Sequence, residues 1–372
     1  MRTISMVCSL LFAIFSFVYL YIFQADILET LHFSLAHGRT VYAPFASSMI
    51  LTIAFMGVNF CVSNYFKLEG KFHFLSYIPS FIFLVSLTDI RRGIYSEHYS
   101  SYNYWFYPLM VVVCLLFLFL GKRLFSITSN SNKDLYVLLN SNLSFLLLFF
   151  LLTIGFGNSD ADFHHEIEME HQIRSGNMEQ ALEVGEGSLQ STRTLTALRA
   201  MALAQKGELA ERMFEYPQYY GSNGLIFPND PMQVQRYTNE TLRDMLGVDI
   251  NASSNLKEQF ARACHDETGK YLVLDYYLCS LLLDRKLDTF VQELDFFVDI
   301  DESLPKYYKE AIVMYKASHA DCKLESHSGV EDRYKDYCWL KQTKSSSMDY
   351  YKQLREQFSE TYWWYYDFGS KM

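Results

Sequence analysis

The sequence predicts an all-α protein in two parts: a polytopic transmembrane helical bundle of about five spans, then a soluble tetratricopeptide-like α-solenoid. Three observations carry this. Apolar runs recur through residues 1–157 and stop at Gly157. From Asn158 onward the chain reads NSDADFHHEIEMEHQ and stays polar, with helical rather than strand periodicity. A glycine-centred helix–turn–helix pattern then recurs in the polar half. The expected division is therefore a transmembrane domain at 1–157 and a soluble helical-repeat domain at 158–372.

The spans are expected at about 4–23, 43–66, 74–90, 104–120 and 135–156. A helix needs about 20 mostly apolar residues to cross ~30 Å of hydrocarbon. Segments 4–23 and 43–66 meet that length without a charge, and 105–120 (WFYPLMVVVCLLFLFL) is also uncharged. Segment 74–87 is shorter and contains Pro79. Segment 135–156 carries Asn140, Ser141 and Asn142, which a headgroup or a neighbouring helix can satisfy. A signal peptide is the competing reading of the first run, which follows Arg2. The run exceeds an ordinary signal core, and no small-x-small site follows Tyr21-Ile22-Phe23-Gln24.

Loop charges orient the bundle. With the N-terminus inside, the inner segments hold Arg2, Lys67, Lys71, Lys122, Arg123 and Lys133, whereas the outer loops hold Arg39, Arg91 and Arg92. Cytoplasmic loops carry the excess of Lys and Arg, so the N-terminus is expected in the cytoplasm and the C-terminal domain outside. Tyr19, Tyr21, Tyr65, Phe66 and Tyr102 to Tyr107 fall where an interfacial aromatic belt would lie. Asp89, Arg91 and Arg92 sit together at the outer end of the third span and are expected to form an ion pair at the membrane interface. The competing reading, an intramembrane acid with a transport or relay role, lacks support from other charged residues within the spans.

In the polar half, HQIRSGNMEQALEVG surrounds Gly176 and MALAQKGELAERMFEY surrounds Gly207. Each reads as a helix ending in a left-handed glycine cap, a tight turn and a second helix. A third copy, YYLCSLLLDRKLDTFVQEL, lacks the glycine. Such hairpins bury their apolar faces only by stacking. Residues 217–231 (PQYYGSNGLIFPNDP) carry turn signals and are expected to form a surface loop. The terminal run TYWWYYDF is expected to cap the last hairpin rather than lie on the membrane surface. Gly176 follows Gly157 closely, so the repeats are expected near the bilayer.

The net charge is −10. A nucleic-acid partner would need a basic surface, so none is expected. No catalytic motif or cofactor signature is visible, and an enzyme is the less favoured reading. His164, Glu168 and His171 share one helix face and are the only candidate metal ligands noted. The zinc-protease pattern is incomplete there, and acids near a helix start are ordinarily solvated. Cys322 and Cys338 flank an expected inter-helix loop and are a candidate disulfide for an oxidising compartment.

The pieces FQAD at 23–26, YIPS and LTD within 77–89, ALAQKGELAERMF at 202–214, LPKYYKEA at 304–311 and TYWWYY at 361–366 together resemble an uncharacterised Bacteroidetes family of multi-pass membrane proteins with a C-terminal tetratricopeptide-like region. The resemblance implies the inner membrane of a Gram-negative cell, with the repeats in the periplasm. It implies no activity. The expected role is thus a membrane-anchored scaffold, in contact with the lipid bilayer, whose repeats bind a protein or peptide partner at the periplasmic membrane face. The alternative is a component of a membrane transporter, or a membrane-embedded enzyme, with a site near the outer ends of the spans. A sensor that signals across the membrane is a third reading.

Overall fold

A computed structural model describes residues 2–68, 70–96, 108–112, 115–116, 119, 135–188, 190–230, 236–248, 250, 256–299, 303–319, 328–343 and 348–369. No strand occurs among the described residues and helix accounts for 76%, which places the chain in the all-α class. Packing divides it into a first unit running to Ile167 and a second of Glu168–Asp230 and Arg236–Met372.

In the first unit, three helices are long and apolar enough to cross a membrane: Ser5–Phe23, Pro44–Phe66 and Leu138–Phe156. Their most apolar windows are only 28%, 22% and 22% buried. Ile14, Ile22, Phe60 and Leu151 are each more than half exposed on them. Water would penalise that surface at roughly 25 cal/mol per Å², and hydrocarbon would not. Pro44 opens its helix at a position where the missing N–H costs nothing. Inside the unit, Phe12 meets Tyr77 and Phe81 with ring centroids 5.1 Å apart, and Phe15 stacks on Phe150 at 3.9 Å.

The third expected span is a composite. A 3₁₀ stretch, Gly70–Tyr77, runs into an α-helix, Ile78–Thr88, with Pro79 in its first turn. The 3₁₀ form rises about 2.0 Å per residue against 1.5 Å for the α-helix. The apolar helix Phe72–Thr88 thus reaches roughly 28 Å despite its length. The same stretch explains Asn142. Its Nδ2 donates to the Gly70 carbonyl at 2.9 Å and the Leu138 carbonyl at 2.8 Å, and its Oδ1 accepts from the Phe74 N–H at 2.8 Å. The fourth expected span, 104–120, lies largely outside the described residues.

One helix, Ala25–Ala36, has no counterpart in the sequence expectations. Its Ile27 packs with Ile90, Ile94, Phe163 and Ile167. Phe163 and Ile167 belong to helix Ala161–Arg174. Their burial keeps the start of that helix with the first unit, so packing divides the chain after Ile167 although hydropathy breaks at Gly157.

The second unit repeats one turn. Gly207 (φ +72°) donates to the Ala204 carbonyl at 2.9 Å, and Glu208 N–H donates to the Leu203 carbonyl at 2.8 Å. Gly176 and Asn177 make the same pair of bonds, to Ile173 and Gln172. Arg285 and Lys286 make it again, to Leu282 and Leu281, with Arg285 at φ +57° in place of glycine. These paired bonds satisfy the carbonyls that a helix C-terminus leaves open. The helices that follow differ in length: Met178–Glu183, Leu209–Arg212 and Leu287–Phe297. Helix Arg193–Lys206 is buried almost all round, and its Ala197, Ala200, Ala202 and Ala204 admit close neighbours.

Residues 217–230 of the expected surface loop are not the exposed segment their composition suggests. Gly221–Leu225 forms a 3₁₀ turn whose Ser222 is held to Asp284 through both N–H and hydroxyl at 2.9 Å. Leu225, Ile226 and Phe227 are buried behind it. The terminal helix Tyr362–Phe368 is capped by Thr361, whose hydroxyl accepts from Trp364 N–H at 3.2 Å. Its side chains divide between two clusters: Tyr362 and Tyr365 join the main core, while Trp363 and Trp364 pack with Tyr337, Leu340 and Leu354.

Candidate functional site

The polar residues of the first unit converge where the chain leaves helix Leu135–Phe156. Gly157 has no room for a side chain: a Cβ there would run into the Tyr19 hydroxyl and lie 2.9 Å from Thr88 Oγ1. Asn158 then ties four segments together. Its N–H donates to the Thr88 carbonyl at 2.9 Å, its carbonyl accepts from Gln24 Nε2 at 2.9 Å, its Nδ2 donates to the Ile90 carbonyl, and its Oδ1 accepts from the Asp160 N–H at 2.8 Å. Asp160 Oδ1 in turn accepts from the N–H groups of Asp162 and Phe163 at 3.1 and 3.3 Å, capping helix Ala161–Arg174.

Arg91 and Arg92 point to different partners. Arg91 Nε donates to Asp89 Oδ1 at 3.1 Å, with Asp89 almost fully buried. Arg92 donates to Asp160 Oδ2 at 2.6 Å and, through Nε and Nη2, to both oxygens of buried Glu166 at 3.2 and 3.3 Å. Its guanidinium also lies 5.7 Å from the centre of the Phe163 ring. Burial disfavours the Arg92 charge, but the Glu166 and Asp160 carboxylates outweigh it and hold the guanidinium above its ordinary range. A cleft of about 430 Å³ borders Arg91, Arg92, Asn158, Asp160 and Phe163. Both guanidinium groups are engaged by carboxylates, so the cleft offers no free cation to an anionic ligand. It works as a clasp that fixes the start of the helix.

The candidate metal ligands are not gathered. His164 Nε2 sits 3.3 Å from the Asn158 carbonyl. Among the described residues no group of three or more His, Cys, Asp or Glu side chains could hold a metal ion, so His164, Glu168 and His171 do not form such a set. Cys338 is half-buried, and its suggested disulfide with Cys322 lies outside the described residues.

The second unit holds a cavity of about 500 Å³ that no sequence motif announced. One wall is the segment Phe214–Tyr219, and the other comes from the C-terminal helices through Tyr351, Arg355, Glu360 and Trp364. The rings of Tyr351 and Trp364 lie 5.1 Å apart, and Phe214 and Tyr365 lie 4.7 Å apart. Trp364 is 2% exposed and its indole N–H has no hydrogen-bond partner. A buried donor left unpaired costs about 1–3 kcal/mol. Arg355, Glu186 and Glu360 line the same space, and none of the three makes an ion pair within 4.0 Å among the described residues, although Glu186 interacts electrostatically with the buried Arg199. Glu215, also on the wall, is already held by Arg212 Nε at 2.9 Å.

Behind this cavity lies Arg199, 1% exposed. It donates to the Val184 and Gly185 carbonyls at 3.0 and 2.9 Å and to Ser191 Oγ at 3.2 Å, and its guanidinium covers the Tyr216 ring at 4.8 Å. Burial lowers its pKa to about 10, against the smaller opposing effects of Tyr216 and Glu186. The sequence signal for this region was the run of aromatic residues at 361–366; nothing in it pointed to Arg355 or Glu186, which reach the cavity from distant segments.

Residues 91–245 and 232–369 match the family described as "Family of unknown function (DUF6057)". The chain belongs to that family. The matched stretches include the Arg92–Glu166 clasp and the whole lining of the cavity in the second unit. Among curated proteins and among solved structures, nothing matches this chain.

Proposed function

We propose that the protein is a membrane-anchored helical scaffold whose second unit binds a protein or peptide partner at the periplasmic face of the inner membrane. The observation that carries the reading is the pairing of long, lipid-suited helices in one unit with a mixed aromatic and charged cavity in the other. Sites that bind peptides combine large rigid aromatic surfaces with a few polar groups that fix orientation. The recurring hairpin turns at Gly176, Gly207 and Arg285 support a tetratricopeptide-like stack, an architecture that offers extended binding surfaces. The resemblance to Bacteroidetes inner-membrane proteins supports the compartment. Five crossings, with 72–88 and 104–120 among them, would carry the second unit to the periplasm.

Two measurements test this. Affinity purification of the full chain is expected to retain a partner that is lost when residues 168–372 are deleted. Retention of the same partner by the truncated chain would remove the second unit from the role. An alkaline phosphatase fusion at Met372 is expected to be active; activity only from a cytoplasmic reporter would reverse the orientation. A transporter or membrane-enzyme reading finds less support, because the charged groups near the span ends are spent on one another.

A further inference from the structure

The cavity of the second unit has a definite chemical demand. Glu186 and Glu360 bring two carboxylates with no ion pair within 4.0 Å among the described residues, although Glu186 also feels the buried Arg199 guanidinium, and Arg355 brings one such guanidinium. Glu215 is held by Arg212, which it shares with Glu208 and Glu179. An occupant must therefore offer positive charge to two acids and an acceptor to one base. It must also offer an elongated apolar or cationic group to the ring of Tyr351, which is 37% exposed. A small inorganic anion meets two carboxylates for one guanidinium and is repelled. A neutral sugar could hydrogen-bond but would leave the charges without counterions.

Resting on the scaffold reading above, we propose that this cavity takes a basic peptide segment: an extended stretch of a partner protein that carries a Lys or Arg side chain. Its cationic head sits between Glu186 and Glu360, with its stem along the Tyr351 ring. Cations favour aromatic faces within about 6 Å of the ring centre. The peptide backbone supplies carbonyl oxygens to Arg355. A chain with alternating carbonyls and side chains meets the acids, the base and the ring from a single ligand. The affinity is moderate and salt-sensitive, because both carboxylates are near solvent.

The test uses the full-length protein in detergent and a displayed library of random heptapeptides. Enriched peptides are synthesised and titrated by fluorescence anisotropy. The expected result is enrichment of Lys or Arg, with affinity falling at least tenfold in the double variant Glu186→Gln/Glu360→Gln. Both residues are exposed, so that variant should fold; circular dichroism and a thermal melt verify it. Tyr351→Ala removes the part-exposed ring that the stem lies along, and should also weaken binding. Enrichment without basic residues, equal affinity in the double variant, or no enrichment at all each overturns the assignment. So does binding of maltoheptaose that Tyr351→Ala abolishes, which would make this a carbohydrate site. Capture of a partner that needs residues 168–372 but ignores the double variant leaves the scaffold reading standing and removes only the basic-peptide assignment.

Discussion

Two buried ionisable residues in the second unit carry costs that single substitutions can expose. Glu310 is 3% exposed, and its Oε2 accepts from the Tyr362 N–H at 2.7 Å, at the start of the terminal aromatic helix. Burial raises its pKa from 4.5 to about 7; that one hydrogen bond and the more distant Lys306 and Arg333 only partly oppose the shift. A carboxyl raised in the folded state contributes stability below about pH 4.5 that is lost as pH climbs to about 7, because the unfolded chain releases its proton first. At 1.36 kcal/mol per unit the loss is on the order of 3 kcal/mol by neutral pH. Glu310→Gln retains a carbonyl acceptor for Tyr362 and has no proton to lose. It is expected to flatten this part of the stability–pH curve and to raise the melting temperature at pH 7.5 but not at pH 4.5. Parallel melts of variant and wild type at both values check it. Arg199 makes the opposite case. Its donors satisfy the carbonyls of Val184 and Gly185, which follow helix Met178–Glu183. Arg199→Leu leaves those acceptors buried and bare, at a cost of about 2–4 kcal/mol. Arg199→Lys should recover little, since one ammonium cannot span three acceptors in the planar fork geometry. Denaturant unfolding of both variants measures this.

Between helices, the recurring element is the left-handed turn with its two closing bonds. It occurs with glycine at 176 and 207, and without glycine at Arg285 and Glu267, where Glu267 and Thr268 N–H groups donate to the Cys264 and Ala263 carbonyls. A side chain in this conformation costs about 1–2 kcal/mol. Glu267 is exposed, so Glu267→Gly should stabilise by roughly 1 kcal/mol less the added unfolded-state entropy. Arg285→Gly should not, because Arg285 also donates to the Tyr365 carbonyl at 3.2 Å and stacks over its ring. A matched pair of melts separates the two. These turns also show what a sequence discloses. Glycine at fixed spacing advertises a helix end, whereas Glu267 occupies the same backbone position with no compositional mark. Helix Ala25–Ala36 was hidden because Asp26 and Glu29 interrupt its apolar pattern while the contacts that bury Ile27 come from residues 90–94 and 163–167. The sites divide the same way. Arg91 and Asp89 are neighbours in sequence, so their contact is open to reading, but Arg92 meets Glu166 across 74 positions. The cavity is assembled from 186–188, 214–219 and 351–369, and no local pattern encodes that meeting.

At the scale of the whole molecule, orientation turns on whether the number of crossings is odd, and the proposed five-crossing topology needs the composite third segment to be one of them. An 11-residue α-helix alone, Ile78–Thr88, could not cross ~30 Å of hydrocarbon; the preceding 3₁₀ stretch would supply the missing length, and Asn142 satisfies two backbone groups at its start, the Gly70 carbonyl and the Phe74 N–H. Asn142→Leu would remove those partners and leave the Phe74 N–H and Gly70 carbonyl bare in an apolar setting. The rearrangement most open to such a segment is to withdraw from the membrane, which would reverse the side reached by everything after it. The measurement is a single cysteine at exposed Asp332, in a chain whose native cysteines are replaced by alanine, probed in intact cells with a membrane-impermeant maleimide. With Asn142 present, labelling is expected without lysis. With Asn142→Leu, a fraction of molecules should label only after lysis. If both chains label equally in intact cells, the polar anchor at Asn142 does not set the crossing. If neither labels before lysis, the C-terminal unit is cytoplasmic, and the periplasmic placement proposed for it falls.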